Sequence, residues 1–240
     1  MQRAIILAAG FGSRLVQGRP YPKPLEAVCG QALIVRVIRT LAGAGVDEVV
    51  VIVGHLGDVL RSELEAQELP VTLHFVQNDE YDKPNGTSLL KAADYVEGPT
   101  LLLMSDHLFS PDLVERVLAF ELGADEAVLG VDHDIEGCFD LDDATKVLSD
   151  GDRIAAIGKT LDDYDCLDVG VFRITPALIA ALRDAEGPEG CSLSAGVGTL
   201  AKDGRMRIVD VGDAKWIDVD TPEAHAEAER LINAHGPTLK

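Results

Sequence analysis

Cysteine is scarce in this chain, and its spacing argues against metal or disulfide chemistry. A zinc site or a disulfide framework needs paired or clustered cysteines, often with histidine nearby. The four cysteines are scattered without any Cys-x-x-Cys pair: Cys29, Cys138, Cys166 and Cys191. The sequence therefore predicts neither kind of site.

Long hydrophobic runs and a charged N-terminal leader are also absent. A membrane span needs about 20 consecutive apolar residues, and a secretory leader combines positive charge with an apolar stretch. We therefore expect a soluble, cytoplasmic protein that is not inserted in a membrane.

Positively charged residues are few relative to acidic ones. The 240 residues include 21 Lys and Arg against 41 Asp and Glu, a formal net charge of −20. Nucleic acid and anionic membrane surfaces would repel such a chain unless a basic patch intervened, and no basic run is present. Nucleic-acid binding is therefore not expected, and most of the acidic charge is typical of a solvated surface.

Apolar runs typical of strands alternate with amphipathic segments typical of helices. Predicted strands cover residues 4–8, 48–53, 71–76, 100–104, 127–131, 169–174 and 206–211. Predicted helices cover residues 33–44, 59–67, 88–95, 111–122, 176–183 and 222–234. This alternation predicts an α/β fold with a mostly parallel, mixed sheet and helices on both faces.

With 47% hydrophobic residues, the chain has enough apolar material for one large core. We expect a single domain over residues 1–240. Residues 132–168 differ from the rest, with charged turns and short alternating strands. They are interpreted as a small β-rich lid or insertion beside a substrate.

A glycine loop follows the first predicted strand, in the run Ala8-Ala9-Gly10-Phe11-Gly12-Ser13-Arg14, with Lys23-Pro24-Leu25 beyond it. Small residues let the backbone approach a ligand, and N–H groups in such a turn form an anion-binding concavity. Arg14 and Lys23 add positive charge, so the loop predicts a nucleoside triphosphate site. A Walker A loop ends in Gly-Lys-Ser/Thr, and the dinucleotide fingerprint needs a third glycine where this chain has Leu15, so neither fits.

Three carboxylates indicate a divalent cation. Asp106 follows the apolar run 100–104, at the sheet edge where α/β proteins bind ligands. Asp218 and Asp220 occupy alternate positions of an extended segment and so share a face. Because Mg²⁺ takes one or two carboxylates plus substrate phosphates, we expect it on Asp106 with Asp218, the favoured ligand, or Asp220. The alternative role of Asp220 is to cap the last helix.

These elements together resemble the nucleotide-diphospho-sugar pyrophosphorylase family of nucleotidyltransferases. The resemblance covers nearly the whole chain and rests on the order and approximate spacing of Lys23-Pro24-Leu25, the 77–89 loop, Asp106, Lys159 after Ile157-Gly158, and Trp216-x-Asp218. It implies the Rossmann-like nucleotide-diphospho-sugar transferase fold and Mg²⁺-assisted nucleotidyl transfer.

Within that family, four segments most resemble CTP:inositol-1-phosphate cytidylyltransferases: Asn85-Gly86-Thr87-Ser88-Leu89-Leu90, Met104-Ser105-Asp106-His107, Asp143-Ala144-Thr145-Lys146-Val147 and Asp168-Val169-Gly170-Val171-Phe172. The implied substrates are CTP and inositol-1-phosphate, and the products are CDP-inositol and pyrophosphate. The alternatives are a phosphocholine cytidylyltransferase, a sugar-1-phosphate nucleotidyltransferase using CTP, UTP or GTP, and a regulatory homologue that binds nucleotide without catalysis. Many inositol relatives are fused to a membrane transferase, which suggests a membrane-bound CDP-alcohol phosphotransferase as a downstream partner. A homo-oligomer is compatible with the resemblance.

The resemblance also implies residue roles. Arg14 would hold the β- and γ-phosphates, Lys23 the α-phosphate and Lys159 the phosphate of the second substrate. Lys146 and Asp168 would face the rest of that substrate. The nucleotide would contact Ala8, Ala9, Gly10, Gly12, Gly86, Thr87 and Ser88. The alternative role of Ser88 is a helix cap, and His107 is interpreted as a structural hydrogen-bonding residue.

Overall fold

The computed structural model describes residues 2–239, which form thirteen strands and eight α-helices. The strands are β1 (Arg3–Ala8), β2 (Ala27–Val28), β3 (Gln31–Ala32), β4 (Glu48–Val53), β5 (Thr72–Gln77), β6 (Thr100–Met104), β7 (His107–Phe109), β8 (Ala127–Asp132), β9 (Lys146–Asp150), β10 (Arg153–Gly158), β11 (Cys166–Ile174), β12 (Met206–Asp210) and β13 (Trp216–Asp218). The helices are α1 (Ser13–Val16), α2 (Leu33–Gly43), α3 (Gly57–Glu65), α4 (Asn85–Lys91), α5 (Pro111–Ala119), α6 (Pro176–Ala185), α7 (Leu193–Lys202) and α8 (Pro222–His235).

Nine strands form one mixed sheet in the order β5-β4-β1-β6-β11-β8-β12-β10-β9. The first four strands of this order pair in parallel. β11 runs antiparallel to both of its neighbours, β6 and β8, whereas β12 pairs in parallel with β8. The predicted α/β fold with a mixed sheet is therefore confirmed.

Both faces of the sheet are buried, as the apolar strands predict. Along β1, Ile5 and Leu7 pack into one core cluster, whereas Ala4 and Ile6 pack into the cluster on the opposite face. Successive side chains of a strand point to opposite faces, so helices must cover both. A third cluster lies beneath α8 and includes Ile217 of β13.

The predicted β-rich segment 132–168 contains the antiparallel hairpin of β9 and β10. This hairpin extends the main sheet, because β10 pairs with β12 and β9 pairs with β11. β11 begins at Cys166, three residues before the predicted start at 169, because Leu167 and Asp168 still pair with β8. The insertion is thus anchored along one edge of the sheet.

Helix α7 is absent from the sequence-based assignment. Its sequence contains Gly196 and Gly198, and glycine is a poor helix former. Gly196 has a packing role, because a Cβ there would lie 2.6 Å from Leu182 Cδ2 of α6.

Within the described part of the chain, none of the helices combines the length and apolar content that crossing a membrane requires.

Candidate active site

Two short strands bring distant carboxylates together at the carboxyl end of β6. β7 follows β6 directly and pairs antiparallel with β13, so that Asp218 lies opposite His107. The backbone N–H of Val219 donates to the carbonyl of Asp106, at 3.0 Å. This pairing joins Asp106 to the 218–220 segment, as the predicted metal site requires.

The glycine loop folds around Lys23. Gly12 adopts a φ of +60°, the left-handed region that favours glycine, and a Cβ at this position would lie 2.2 Å from Lys23 Cβ. Only 4% of the surface of Lys23 is exposed. The loop therefore directs the lysine stem inward, toward the carboxylates.

Each of the three predicted phosphate-binding cations is paired with a carboxylate. Lys23 Nζ lies 2.6 Å from Asp106 Oδ2 and also contacts Asp220. Arg14 contacts Asp220, and its Nη2 lies 3.0 Å from Asp143 Oδ2. Lys159 Nζ lies 2.8 Å from Asp143 Oδ1. Carboxylates thus occupy the hydrogen-bonding positions that phosphate oxygens could take.

Asp106 and Asp218 differ in electrostatic environment. Burial opposes ionisation of Asp106, but the positive charge of Lys23 and the hydrogen bond from His107 outweigh it, and the pKa of Asp106 is well below its usual range. For Asp218, burial dominates and raises the pKa. His107 Nδ1 lies 3.0 Å from Asp106 Oδ1; although burial opposes its charge, Asp218 and Asp106 raise its pKa to about 9.

The carboxylates fit a hard divalent cation. Ligand atoms of Asp106, His107 and Asp218 lie within 4.8 Å of one another, as do those of Asp143, Asp218 and Asp220. Asp218 belongs to both groups, and its buried Oδ1 has no hydrogen-bond partner among residues 2–239. His107 Nδ1 lies 3.7 Å from this oxygen, beyond hydrogen-bonding distance, so the oxygen keeps its capacity to bind a cation. The oxygen-rich donor set suits Mg²⁺.

Asp220 is not the cap of the last helix. The N-cap of α8 is Thr221, whose side-chain oxygen accepts a hydrogen bond from Ala224 N at 3.1 Å. This arrangement leaves the Asp220 carboxylate free to contact Arg14 and Lys23.

A glycine-loop cavity of about 320 Å³ lies beside these cations. The predicted contacts Ala8, Ala9, Gly10, Gly12 and Ser88 line it, together with Arg14, Lys23, Tyr81, Asn85 and Asp106. Ser88 lies inside α4 and not at a cap position.

Gly86 and Thr87 do not line this cavity. A Cβ at Gly86 would lie 2.7 Å from the carbonyl oxygen of Cys191. Thr87 Oγ1 accepts a hydrogen bond from Cys191 N at 3.2 Å. These two residues anchor α4 against the segment that leads into α7.

An acidic cavity of about 850 Å³ adjoins the first and shares Asp106 and Asp220 with it. Lys159 and Asp168, which the sequence analysis assigned to the second substrate, both line this cavity. Burial raises the pKa of Asp168 to about 6, although Gly170 N donates to its Oδ1 at 2.7 Å. The cavity is also lined by Asp132, Asp134, Phe139, Asp140, Asp143 and Trp216.

Lys146 is not among the residues that line this cavity. Its Nζ donates to the carbonyl oxygens of Leu141, at 2.9 Å, and of Ala144, at 3.2 Å. Lys146 therefore holds the loop that precedes β9 in shape.

Asp143 lies in the candidate site, although the sequence analysis gave it no role. It begins the segment Asp143-Ala144-Thr145-Lys146-Val147, which resembles the cytidylyltransferases, but composition and spacing give it no role distinct from those of Asp140 and Asp142 nearby. Only the fold shows that Asp143 reaches both Arg14 and Lys159.

The chain is similar to known proteins both in sequence and in fold. A model of the MobA-like NTP transferase domain matches residues 4–139. The bifunctional IPC transferase and DIPP synthase of Rubrobacter xylanophilus is 38% identical over 95% of this chain and 51% of its own length. The Archaeoglobus fulgidus protein of the same name is 32% identical over 97% of this chain and 44% of its own length. The chain thus spans about half the length of these curated relatives.

Solved structures extend the likeness to the whole fold. The inositol-1-phosphate CTP transferase from T. maritima superimposes with a TM-score of 0.81 at 28% identity, covering 95% of this chain and 96% of that one. A putative glucose-1-phosphate thymidylyltransferase from Bacillus anthracis superimposes with a TM-score of 0.80 at 19% identity, covering 96% and 95%. The second likeness shows the fold alone.

Proposed function

The chain belongs to the MobA-like NTP transferase family, and from this premise we propose that it transfers CMP from CTP to inositol-1-phosphate, forming CDP-inositol and pyrophosphate. The observation that carries the proposal is the pair of adjoining cavities that share Asp106 and Asp220. One cavity has the glycine loop and its cations, and the other has Lys159 among hydrogen-bond acceptors. Two phosphorylated substrates can therefore meet at the shared carboxylates.

In the proposed reaction, an oxygen of the inositol-1-phosphate monoester attacks the α-phosphorus of CTP. A new P–O bond forms as the bond from the α-phosphorus to the bridging oxygen of pyrophosphate breaks. The monoester dianion is already a nucleophile, so no general base is required. Positioning and charge neutralisation supply the catalysis.

Arg14, Lys23 and Lys159 divide the charge between the two substrates. In the proposed complex, Arg14 binds the β- and γ-phosphates at the glycine loop, and Lys23 binds the α-phosphate, where charge accumulates. Lys159, on the opposite side of Asp143, binds the phosphate of inositol-1-phosphate. Each lysine or arginine exchanges a carboxylate partner for a phosphate as the substrates bind.

Asp106, Asp218 and Asp220 would hold Mg²⁺. When bound, the ion supplies positive charge that neutralises the phosphate oxygens of the nucleotide. Binding the ion would also withdraw carboxylate oxygens from Lys23 and Arg14, whose donors then become available to phosphates.

The hydrogen-bonding groups of the acidic cavity support a polyol substrate. Carboxylates such as those of Asp132 and Asp168 accept hydrogen bonds from ring hydroxyls, whereas a choline head group prefers several aromatic faces. The Trp216 ring stacks against His107, with 6.4 Å between centroids, and its Nε1 donates to Asp132 Oδ2 at 2.6 Å. The hydrogen bond to Asp132 holds the Trp216 ring in place, so the ring is less available to form an aromatic cage around choline.

A substrate panel tests the proposal. Pyrophosphate release is measured with Mg²⁺ while CTP, UTP, GTP and ATP are crossed with inositol-1-phosphate, phosphocholine and glucose-1-phosphate. We expect turnover with CTP and inositol-1-phosphate, its loss in D106N, and its retention in D163N, which alters an exposed acid. Turnover with a different pair only would contradict the proposed substrates, and unchanged turnover in D106N would contradict the proposed site.

A further inference from the structure

Behind the glycine-loop cavity, the buried side chain of Asn78 connects two chain segments. Asn78 follows β5 directly and is fully buried. Its backbone N–H donates to the carbonyl of Val53 at 2.8 Å, which fixes its position at the sheet edge. Its Oδ1 accepts a hydrogen bond from Glu80 N at 2.9 Å, and its Nδ2 donates to Ser88 Oγ, also at 2.9 Å.

These two contacts fix the orientation of the Asn78 amide. The backbone N–H of Glu80 is a donor only, so it requires the amide oxygen and not the amide nitrogen. Reversing the amide would place two donors against each other at Glu80 in a buried position, which is costly. The NH2 group must therefore face Ser88.

The orientation of Asn78 sets the polarity of the Ser88 hydroxyl. A hydroxyl offers one donor and two acceptor lone pairs, and Ser88 uses its oxygen to accept from Asn78. Within residues 2–239, no other hydrogen bond involves the Ser88 side chain. Ser88 lines the glycine-loop cavity with Ala8 and Ala9, so its proton is available to a ligand there.

Ser88 keeps a second lone pair, but accepting a second hydrogen bond would leave its own proton without a partner among residues 2–239, so donation to a ligand is favoured. A hydroxyl that favours donation can distinguish the two pyrimidines. The N3 atom of cytosine is a hydrogen-bond acceptor, whereas N3 of uracil carries a hydrogen and is a donor. The O2 atom accepts in both bases and cannot discriminate. A donor that meets N3 therefore pairs with cytosine and opposes uracil.

We propose that Asn78 is a specificity-determining, positioning residue that holds Ser88 as a hydrogen-bond donor to N3 of cytosine and so selects CTP against UTP. This inference rests on the nucleotide half of the proposed function. Asn78 acts only through Ser88, since its own side chain is fully buried and lines neither cavity.

The decisive variant is Asn78→Asp, which keeps the shape and reverses the polarity. The Asp carboxylate still accepts from Glu80 N, but its second oxygen can only accept from Ser88. The Ser88 lone pairs then face the cavity, where they suit N3–H of uracil. We expect the ratio of the dissociation constants, UTP over CTP, to fall about tenfold or more.

The measurement is equilibrium binding of CTP and UTP by calorimetry with Mg²⁺, which needs no second substrate. Gln77→Glu is the matched control, because it makes the same chemical change in the exposed neighbouring residue. In Gln77→Glu, the ratio of the UTP and CTP dissociation constants should remain within twofold of the ratio in the unaltered protein. Thermal melting establishes whether N78D is folded. If it is not, Asn78→Ala serves as the second variant; it frees the hydroxyl to rotate and should also lower the ratio.

A double-variant cycle separates the positioning role from general damage. In a Ser88→Ala background, N78D should change the ratio no further, because the hydroxyl through which Asn78 acts is gone. An unchanged ratio in folded N78D, an equal loss of both nucleotides, or a full N78D effect without the Ser88 hydroxyl would overturn the inference. Failure of the proposed function has a different signature: the unaltered protein would itself bind UTP as tightly as CTP.

Discussion

Asp143 Oδ2 lies 3.0 Å from Arg14 Nη2, so a carboxylate of the β-rich insertion contacts the cation of the glycine loop. The other oxygen of the same carboxylate lies 2.8 Å from Lys159 Nζ. The cations assigned to the two substrates are therefore linked through one side chain. A phosphate that binds to either cation must compete with Asp143.

Replacing Asp143 by Asn should strengthen the binding of pyrophosphate in the absence of Mg²⁺. The competing negative charge is lost, and a partly exposed ion pair contributes about 0.2–1 kcal/mol. We therefore expect the dissociation constant, measured by calorimetry, to fall severalfold at most. Asp142→Asn removes the same charge from an exposed neighbour and should have a smaller effect. Weaker pyrophosphate binding in D143N would show that Asp143 supports the anion site and does not compete with it.

Lys23→Met should abolish most of the activity. Lys23 is nearly completely buried and is the ammonium group shared by Asp106 and Asp220. Removing a preorganised charge that meets developing negative charge typically lowers kcat by about 100-fold or more. The steady-state rate should be unaffected by Lys202→Met, which removes an exposed lysine. A K23M rate above one tenth of the unaltered rate, in a folded sample, would rule out the assigned role.

Gly170→Ala should reduce both stability and activity. Gly170 has a φ of +74°, and a Cβ there would lie 2.5 Å from Cδ2 of His107. The His107 ring would have to move from its position beside Asp106. Gly151→Ala is the matched control, because Gly151 has a φ of +63° with open space around it.

Both alanine variants should lose about 1–2 kcal/mol of unfolding free energy through backbone strain, measured by denaturant titration. Only G170A should lose further stability and show a lower kcat. If the two variants behaved alike in kcat, the position of His107 would have no bearing on catalysis.

Glu48 should make stability depend on pH. Its Oε2 lies 2.7 Å from Arg3 Nε, and its Oε1 lies 2.8 Å from His74 Nε2. The pKa of Glu48 is lowered, mainly by the hydrogen bond from Arg3. Burial opposes this shift, and the hydrogen bond with His74 adds a smaller lowering. Because the folded pKa lies below the unfolded value of about 4.3, the stabilisation is present above that value and is lost as pH falls through the folded pKa.

Comparison of the unaltered protein with Glu48→Gln measures this effect. The difference in unfolding free energy should be about 1 kcal/mol near pH 7 and should shrink as the pH falls below about 4. Glu65→Gln, at an exposed position with no ion pair among the described residues, should show no such trend. A Glu48→Gln difference that stays constant across this range would contradict the assigned ion pair.

The long strands of the main sheet were predictable because their apolar runs are clearly bounded, whereas the short strands β2, β3 and β7 were not predicted. β4 and β6 have the predicted bounds, 48–53 and 100–104. Helix α7 was not predictable from local preference, because it contains Gly196 and Gly198, of which Gly196 packs against α6. Helix α5 ends at Ala119, short of the predicted residue 122, because Phe120 takes an extended conformation.

In the candidate site, the position of a residue was predictable where its neighbours along the chain indicate it. Lys23 beside Pro24, and Asp106 at a strand end, are of this kind. The role of Asp143 was not predictable, because Asp140 and Asp142 stand beside it and only the fold decides which carboxylate reaches Arg14. The position of Lys146 was not predictable either, because its contacts with the carbonyl oxygens of Leu141 and Ala144 depend on how the loop folds. The link between Asn78 and Ser88 likewise depends on a buried contact between separate elements.

Identification of the product tests the central claim most directly. CTP and inositol-1-phosphate are incubated with the protein and Mg²⁺, and the phosphorus signals are followed by NMR. The account predicts that CDP-inositol, recognised by two coupled diphosphate signals, appears in equal amount to pyrophosphate. Consumption of CTP without a new diphosphate, or no reaction while another acceptor phosphate is converted, would contradict it.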